Sequence, residues 1–285
     1  MTRLKIAIQK SGRLHDDSLA LLKECGIAIN NGNDQLMAQA SNFPLEVLFL
    51  RNSDVPRYVE DGIVDLAIIG ENTIIEKQAD VSRLLDLGFS SCRVSIAIPR
   101  PGEFTGPRWL QGKRIATSYP NTLRDFLARE GVDAEIHVIS GSVEIAPVMG
   151  LADAICDIVS SGSTLFKNGL VEVHTLFTST AMLVANTGLD DAKRAAAEQL
   201  VFRVKSVLAA KNSKYILLNV PGEKLEAVCG LLPGMRSPTV MPLREPGWYS
   251  LHSVVNETQF WESIDRLKAA GAEGLLVIPI EKMIL

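Results

Sequence analysis

Strand-like and helix-like segments alternate along the chain until about residue 210, where the order changes to β-α-β-β-α-β. Few architectures accept that pattern. Apolar runs at 4–8, 45–50 and 64–69, then at 92–99, 114–118, 135–139, 154–159, 171–177 and 181–186, read as strands. Helical spacing places helices from about Asp16 to Gly26, at 122–129, at 143–149 and at 190–210. Asn52 or Ser53 caps a short helix with Pro56 in its first turn. This alternation predicts an α/β protein with largely parallel sheets. The Pro- and Gly-rich run 100–107 marks a surface loop close to a lobe boundary. After 210, strands at 215–220, 239–243, 248–255 and 274–280 enclose helices at 223–232 and 257–270. Asn256 caps the second helix, Phe260, Ile264 and Leu267 share one face of it, and Gly271 closes it. That order predicts a ferredoxin-like module.

With 285 residues, 47% hydrophobic and 22% charged, the chain is long enough for two or three packed domains. A net charge of −4 with scattered Lys and Arg excludes a non-specific nucleic-acid surface, so anionic ligands must be held by local cations. No apolar run is long enough to span a bilayer, and no secretory signal is recognisable ahead of Leu4. Cys25, Cys92, Cys156 and Cys229, like His15, His137, His174 and His252, are dispersed without metal-ligand spacing. Reduced thiols in a cytoplasmic protein are the expectation.

Chemistry concentrates in residues 153–164, Asp-Ala-Ile-Cys-Asp-Ile-Val-Ser-Ser-Gly-Ser-Thr. An apolar strand carrying Asp153 and Asp157 opens into a small, hydroxyl-rich turn, Ser160, Ser161, Gly162, Ser163 and Thr164. Converging backbone amides, hydroxyl donors and the start of a following helix suit a phosphate. Two acids four residues apart share a strand face and suit sugar hydroxyls beside that phosphate. Read alone, such a turn is more often an ordinary capped helix start, and it has neither the P-loop ending nor a dinucleotide fingerprint.

Several segments together decide more: Gln9-Lys10-Ser11-Gly12-Arg13-Leu14, Gly62 to Asn72 with its Asp65 and Gly70-Glu71-Asn72, and Arg114 to Asn121. To these add Gly141-Ser-Val-Glu144-Ile-Ala-Pro147, the 153–164 segment and the tail Ile278-Pro-Ile-Glu281-Lys282-Met283. Over essentially its full length the chain resembles the ATP phosphoribosyltransferase family, in its long form with a C-terminal regulatory domain. The resemblance implies two catalytic lobes of the periplasmic-binding-protein type with the active site between them. Residues 1–98 with 181–209 would form the first lobe, 99–180 the second, and 210–285 the regulatory domain.

The implied reaction joins N1 of ATP to C1 of phosphoribosyl pyrophosphate, releases pyrophosphate, requires Mg²⁺ and opens histidine biosynthesis. By the same resemblance, Ser160 to Thr164 would hold the ribose 5-phosphate, Asp153 and Asp157 would face the ribose hydroxyls, and Glu144 would face the oxocarbenium-like transition state. Lys10 and Arg13 would meet phosphates across the cleft, and Glu71, Arg93 and Tyr119 would line it. Mg²⁺ would arrive on the substrate phosphates rather than in a protein cage. In the C-terminal module, Asn219, Thr239 and Val254 would contact histidine as feedback inhibitor, and Asn219, where some relatives carry an acid, would weaken that sensing. Homo-oligomers, a dimer and a hexamer, are implied, with no nucleic-acid or membrane partner. The rival readings are a solute-binding protein or regulator effector domain, against which the missing secretory signal and the missing helix-turn-helix argue, and a non-catalytic regulatory subunit, which would not need an intact 153–164 segment.

Overall fold

A computed structural model describes residues 3–30, 35–232, 234 and 237–284 of the chain, which divides into two compact units after Glu198. The first unit begins β1 (Leu4–Gln9), α1 (Arg13–Glu24), β2 (Met37–Gln39), β3 (Leu45–Leu50), α2 (Val55–Glu60), β4 (Leu66–Gly70), α3 (Glu71–Lys77) and β5 (Ser82–Asp86). It continues β6 (Cys92–Pro99), β7 (Arg114–Thr117), α4 (Pro120–Glu130), β8 (Glu135–Val138), β9 (Ala154–Val159), α5 (Ser163–Lys167), β10 (Leu170–Ser179), β11 (Ala181–Ala185) and the start of α6 (Asp191–Lys211).

These strands form a six-stranded sheet, β2-β3-β1-β4-β11-β5, and a five-stranded sheet, β10-β6-β9-β7-β8. The central strand β1 is apolar on both faces, with Leu4, Ile6, Ala7 and Ile8 fully buried, and it pairs in parallel with β3 and β4. Two sheets of this kind give the periplasmic-binding type of α/β architecture. The sheets are mixed rather than largely parallel, because β11 runs antiparallel to β4 and β5, and β6 runs antiparallel to β9 and β10.

The chain leaves the first sheet after β5 and returns at β11, and the two passages lie side by side. Leu87 N–H donates to Ala181 O at 2.9 Å, and Ala181 N–H to Phe89 O at 3.0 Å. Because β6 belongs to the five-stranded sheet, the change of sheet falls between Asp86 and Cys92, not at residue 98. The two compact units meet at Glu198, inside α6. Expected helix 143–149 is only a 3-10 turn, Val143–Ile145, since Pro147 lacks the N–H that would continue it. Asp54, not Asn52 or Ser53, occupies the N-cap position of α2. Buried Asp65 accepts from Lys5 N–H and from Lys193 Nζ, both at 2.8 Å, which fixes the start of α6 against the first sheet.

The second unit carries β12 (Ser213–Pro221), α7 (Leu225–Leu231), β13 (Thr239–Pro242), β14 (Trp248–Asn256), α8 (Glu257–Ala269) and β15 (Glu273–Pro279). Its sheet is antiparallel throughout in the order β13-β14-β12-β15. Ile216, Leu218 and Val220 of β12 and Leu251 and Val255 of β14 pack with Val228, Phe260 and Leu267 of the helices. Asn256 Oδ1 accepts Thr258 N–H at 2.9 Å, the expected cap of α8. The alternate residues of the strands, among them Tyr215, Leu217, Asn219, His252 and Val254, occupy the opposite face.

Candidate active site

The middle strand of the five-stranded sheet, β9, carries Asp157 one residue pair from its end, on the face of Ile155 and Val159. That face packs against Val143 of the 3-10 turn and Leu165 of α5, so the turn and the helix enclose a cavity of about 180 Å³. Glu144, Asp157, Ser160, Ser161, Gly162 and Thr164 supply its polar lining. Six residues singled out in the sequence therefore converge on one hollow.

Asp157 Oδ1 accepts from Ser118 Oγ at 2.9 Å and from Ile158 N–H at 2.8 Å. Burial raises its carboxyl above the usual aspartate range, and the charge of Glu144 pushes the same way against those hydrogen bonds. Gly162 turns the loop in the left-handed region at φ 77°, where a Cβ is disfavoured. The first helical bond of α5 is Phe166 N–H to Gly162 O at 3.0 Å, so the amides of Ser163, Thr164 and Leu165 have no intrahelical acceptor. Ser161 Oγ and Ser163 Oγ lie 3.0 Å apart and stiffen the turn.

Two guanidinium groups grip this loop. Arg13, at the start of α1, donates to Ser160 Oγ at 3.0 Å and to Ser91 O at 3.1 Å. Arg93 on β6 donates to Ser160 O at 2.9 Å while its other N–H groups hold both oxygens of Glu172. That pairing keeps the Glu172 carboxyl below the usual glutamate range. Lys10, on the loop after β1, is exposed, and among the described residues its ammonium has no partner.

Other expected residues lie elsewhere. Asp153 precedes the opposite end of β9, roughly 13 Å along the strand from Asp157 at a strand's usual rise. There it takes Arg114 N–H at 2.9 Å and the Arg114 guanidinium at 3.0 Å. These bonds join the starts of β7 and β9. Glu71 is ion-paired with Arg83 of β5 at 2.8 Å. Tyr119 is 9% exposed, its hydroxyl accepts Asn72 Nδ2 at 2.8 Å, and burial raises its pKa.

Sequence reasoning missed Ser118 and Glu172 as partners of the site. The signal for Ser118 was in the strands: β7 and β9 run parallel with Thr117 opposite Cys156, which sets Ser118 beside Asp157. In the second unit, Asn219, Thr239 and Val254 fall on the sheet face away from α7 and α8, opposite Ser250, His252 and Tyr215 respectively. His252, unassigned from sequence, is held by Tyr215 Oη at 2.8 Å and Ser250 Oγ at 3.2 Å. Gly274, at φ 59°, leaves space that a Cβ would take to within 3.3 Å of Asn219 Nδ2.

The family model described as ATP phosphoribosyltransferase matches residues 51–206, and the model of the HisG C-terminal domain matches 210–282. The chain belongs to the ATP phosphoribosyltransferase family. It is 56% identical over 283 residues to ATP phosphoribosyltransferase of Cytophaga hutchinsonii and 53% identical over 281 residues to that of Bacteroides thetaiotaomicron, with 99% of both chains covered in each case. Among solved structures it is similar to the ATP phosphoribosyl transferase (HisG:HisZ) complex from Thermotoga maritima, with a TM-score of 0.63 and 27% identity over 72% of this chain and 98% of that one. The chain is thus an enzyme of histidine biosynthesis that transfers a phosphoribosyl group to N1 of ATP. Every second-sheet residue of the hollow lies inside the matched 51–206 region. No helix among the described residues is long and apolar enough to cross a membrane.

Proposed function

We propose that the hollow under β9 is the phosphoribosyl site and that ATP approaches it from the side of Lys10 and Arg13. One observation carries the reading: Asp157, Glu144 and the 160–164 loop line a single cavity whose rim residue Ser160 is held by Arg13 and Arg93. The loop amides and hydroxyls suit the 5-phosphate, and Asp157 suits the ribose hydroxyls. Adenine N1 brings its lone pair to C1, the C1–O bond to pyrophosphate breaks, and the leaving pyrophosphate takes the electron pair. Positive charge grows on the ribose as that bond lengthens, and Glu144, which lines the same cavity, is the carboxylate that would oppose it. N1 is already a nucleophile, so the rate comes from orientation and charge neutralisation rather than from a general base.

Among the described residues no group of three or more His, Cys, Asp or Glu side chains is arranged to hold a cation. A pair of carboxylates, Asp157 and Glu144, fits Mg²⁺ carried in on substrate phosphates, for which one or two protein carboxylates suffice. Bound there, the cation would neutralise pyrophosphate as it leaves.

The antiparallel βαββαβ unit is read as a ferredoxin-like, histidine-sensing domain, with Asn219, Thr239 and Val254 on its open face as contacts. In this reading histidine inhibits the enzyme, and the enzyme works in the cytoplasm as dimers and hexamers. Replacement Asn219→Asp adds a charge suited to the amino group of histidine and lowers the histidine concentration needed for half-inhibition. Unchanged inhibition would remove Asn219 from the effector site.

Incubation with ATP, phosphoribosyl pyrophosphate, Mg²⁺ and a pyrophosphatase, followed by mass spectrometry, yields the phosphoribosyl adduct of ATP, and histidine suppresses it. The combined variant Asp157→Ala and Thr164→Ala loses the adduct. Turnover at wild-type efficiency in that variant would place the site elsewhere.

A further inference from the structure

Helices α3 and α4 belong to different cores: Ile74 of α3 packs in the first-sheet cluster, and Leu123, Phe126 and Leu127 of α4 pack in the second-sheet cluster. Between them lies Glu76, 6% exposed. A helix start leaves its first N–H groups without intrahelical acceptors. In α4 the first residue, Pro120, has no N–H, Tyr119 makes no side-chain cap, and no acid stands in the first turn. The two donors that remain both go to Glu76. Asn121 N–H reaches Oε1 at 3.1 Å, and Thr122 N–H reaches Oε2 at 2.9 Å. Asn121 Nδ2 adds a bond to Glu76 O at 2.9 Å.

One turn earlier on the same face of α3, Asn72 makes a second set of bonds. Its Nδ2 donates to Tyr119 Oη at 2.8 Å, its Oδ1 accepts from Ser179 Oγ at 3.0 Å, and its N–H donates back to Ser179 Oγ at 2.9 Å. Ser179 ends the strand by which the chain returns to the first sheet. We propose that Glu76 is an inter-lobe positioning residue: a buried carboxylate of the first lobe that caps α4 of the second and sets the angle at which the Ser160–Thr164 loop is presented to Lys10 and Arg13.

A carboxylate is specifically required. Both of its oxygens accept, it complements the positive end of α4, and the contact is charge-assisted. Glutamine has one acceptor oxygen, and its amide N–H₂ would face a backbone N–H. Aspartate keeps both acceptors but is one methylene shorter, so it draws α4 toward α3. Either change alters the lobe angle and leaves the phosphate loop, which is built from the second lobe, intact. The inference rests on the site assignment above, that transfer occurs between the lobes.

The test is Glu76→Gln and Glu76→Asp in the full chain, read by steady-state kinetics, phosphoribosyl pyrophosphate binding without ATP, and amide hydrogen exchange. For Glu76→Gln, exchange at Asn121 and Thr122 rises about tenfold and kcat falls at least tenfold, while affinity for phosphoribosyl pyrophosphate stays within about threefold. Glu76→Asp shows the same division with a smaller loss of kcat and decides the matter if the glutamine variant does not fold. The proposal is overturned if kcat is unchanged although those amides lose protection, or if kcat, binding and exchange across the whole unit deteriorate together. Turnover retained in Asp157→Asn would overturn the site assignment instead, whatever Glu76 does.

Discussion

Asp157 is placed where catalysis and stability conflict. Burial lifts its carboxyl above the range of an unfolded aspartate, which titrates near 3.9. Between those two values the folded protein holds the proton that the unfolded chain has released, so stability falls as pH rises through that window and stays lower above it. Asp157→Asn keeps an acceptor for Ser118 and removes the titration. Its melting temperature at pH 7 therefore exceeds that of wild type. The gain disappears near pH 3, where both side chains are neutral. Turnover falls at least about a hundredfold, because a charge facing the ribose is lost. Calorimetry across that pH range together with kcat checks both arms, and a variant no more stable at pH 7 than at pH 3 relative to wild type would refute the desolvated carboxylate. Asp153 behaves differently. Its ion pair with Arg114 is partly exposed, so Asp153→Asn leaves kcat/KM within about threefold of wild type. A loss as deep as that of Asp157→Asn would return Asp153 to the ribose.

Element geometry explains why that distinction was invisible in the sequence. Spacing of four suggests one strand face for Asp153 and Asp157, but Asp153 precedes β9, and only pairing shows that one acid stands at the start of β7 and the other beside its end. The alternation of strands and helices, the order of the last four strands and the cap at Asn256 were legible because each depends on local periodicity or turn chemistry. Sheet membership of β6 and the antiparallel course of β11 were not, since both follow from non-local pairing. The short helix α3 was missed because Glu71 to Lys77 is barely two turns, and its value lies in contacts that α4 completes. At the loop, by contrast, sequence and backbone agree on Gly162. A Cβ there meets nothing closer than Val159 Cγ1 at 3.9 Å, so Gly162→Ala is opposed by φ alone, at a cost of about 1–2 kcal/mol. That strain moves the amides of Ser163 and Thr164, and the KM for phosphoribosyl pyrophosphate rises about tenfold with little change in the KM for ATP. An equal rise in both would mean that the loop serves the whole cleft rather than the phosphate.

For the whole molecule, the histidine site proposed on the open sheet face of the second unit raises the question of how an effector bound there would reach the transfer site. That face combines exposed apolar side chains, Met241, Leu276 and Ile278, with the polar group formed by His252, Tyr215, Ser250, Asn219 and Thr239. Exposed apolar side chains on a sheet face are a surface on which a second copy can pack, and in the reading proposed above the polar cluster among them would hold histidine at that contact. If histidine binds the larger assembly more tightly, linkage requires that it promote assembly by the same factor. Inhibition then depends on enzyme concentration: over about a hundredfold increase in protein, the histidine needed for half-inhibition falls, and sedimentation velocity shows the hexamer growing at the expense of the dimer as histidine is added. Met241→Lys places a charge on that face and raises the half-inhibiting concentration while leaving kcat without histidine unchanged. Half-inhibition that stays constant across the protein range, with no change in sedimentation, would show that histidine acts within one chain and that assembly plays no part in its effect.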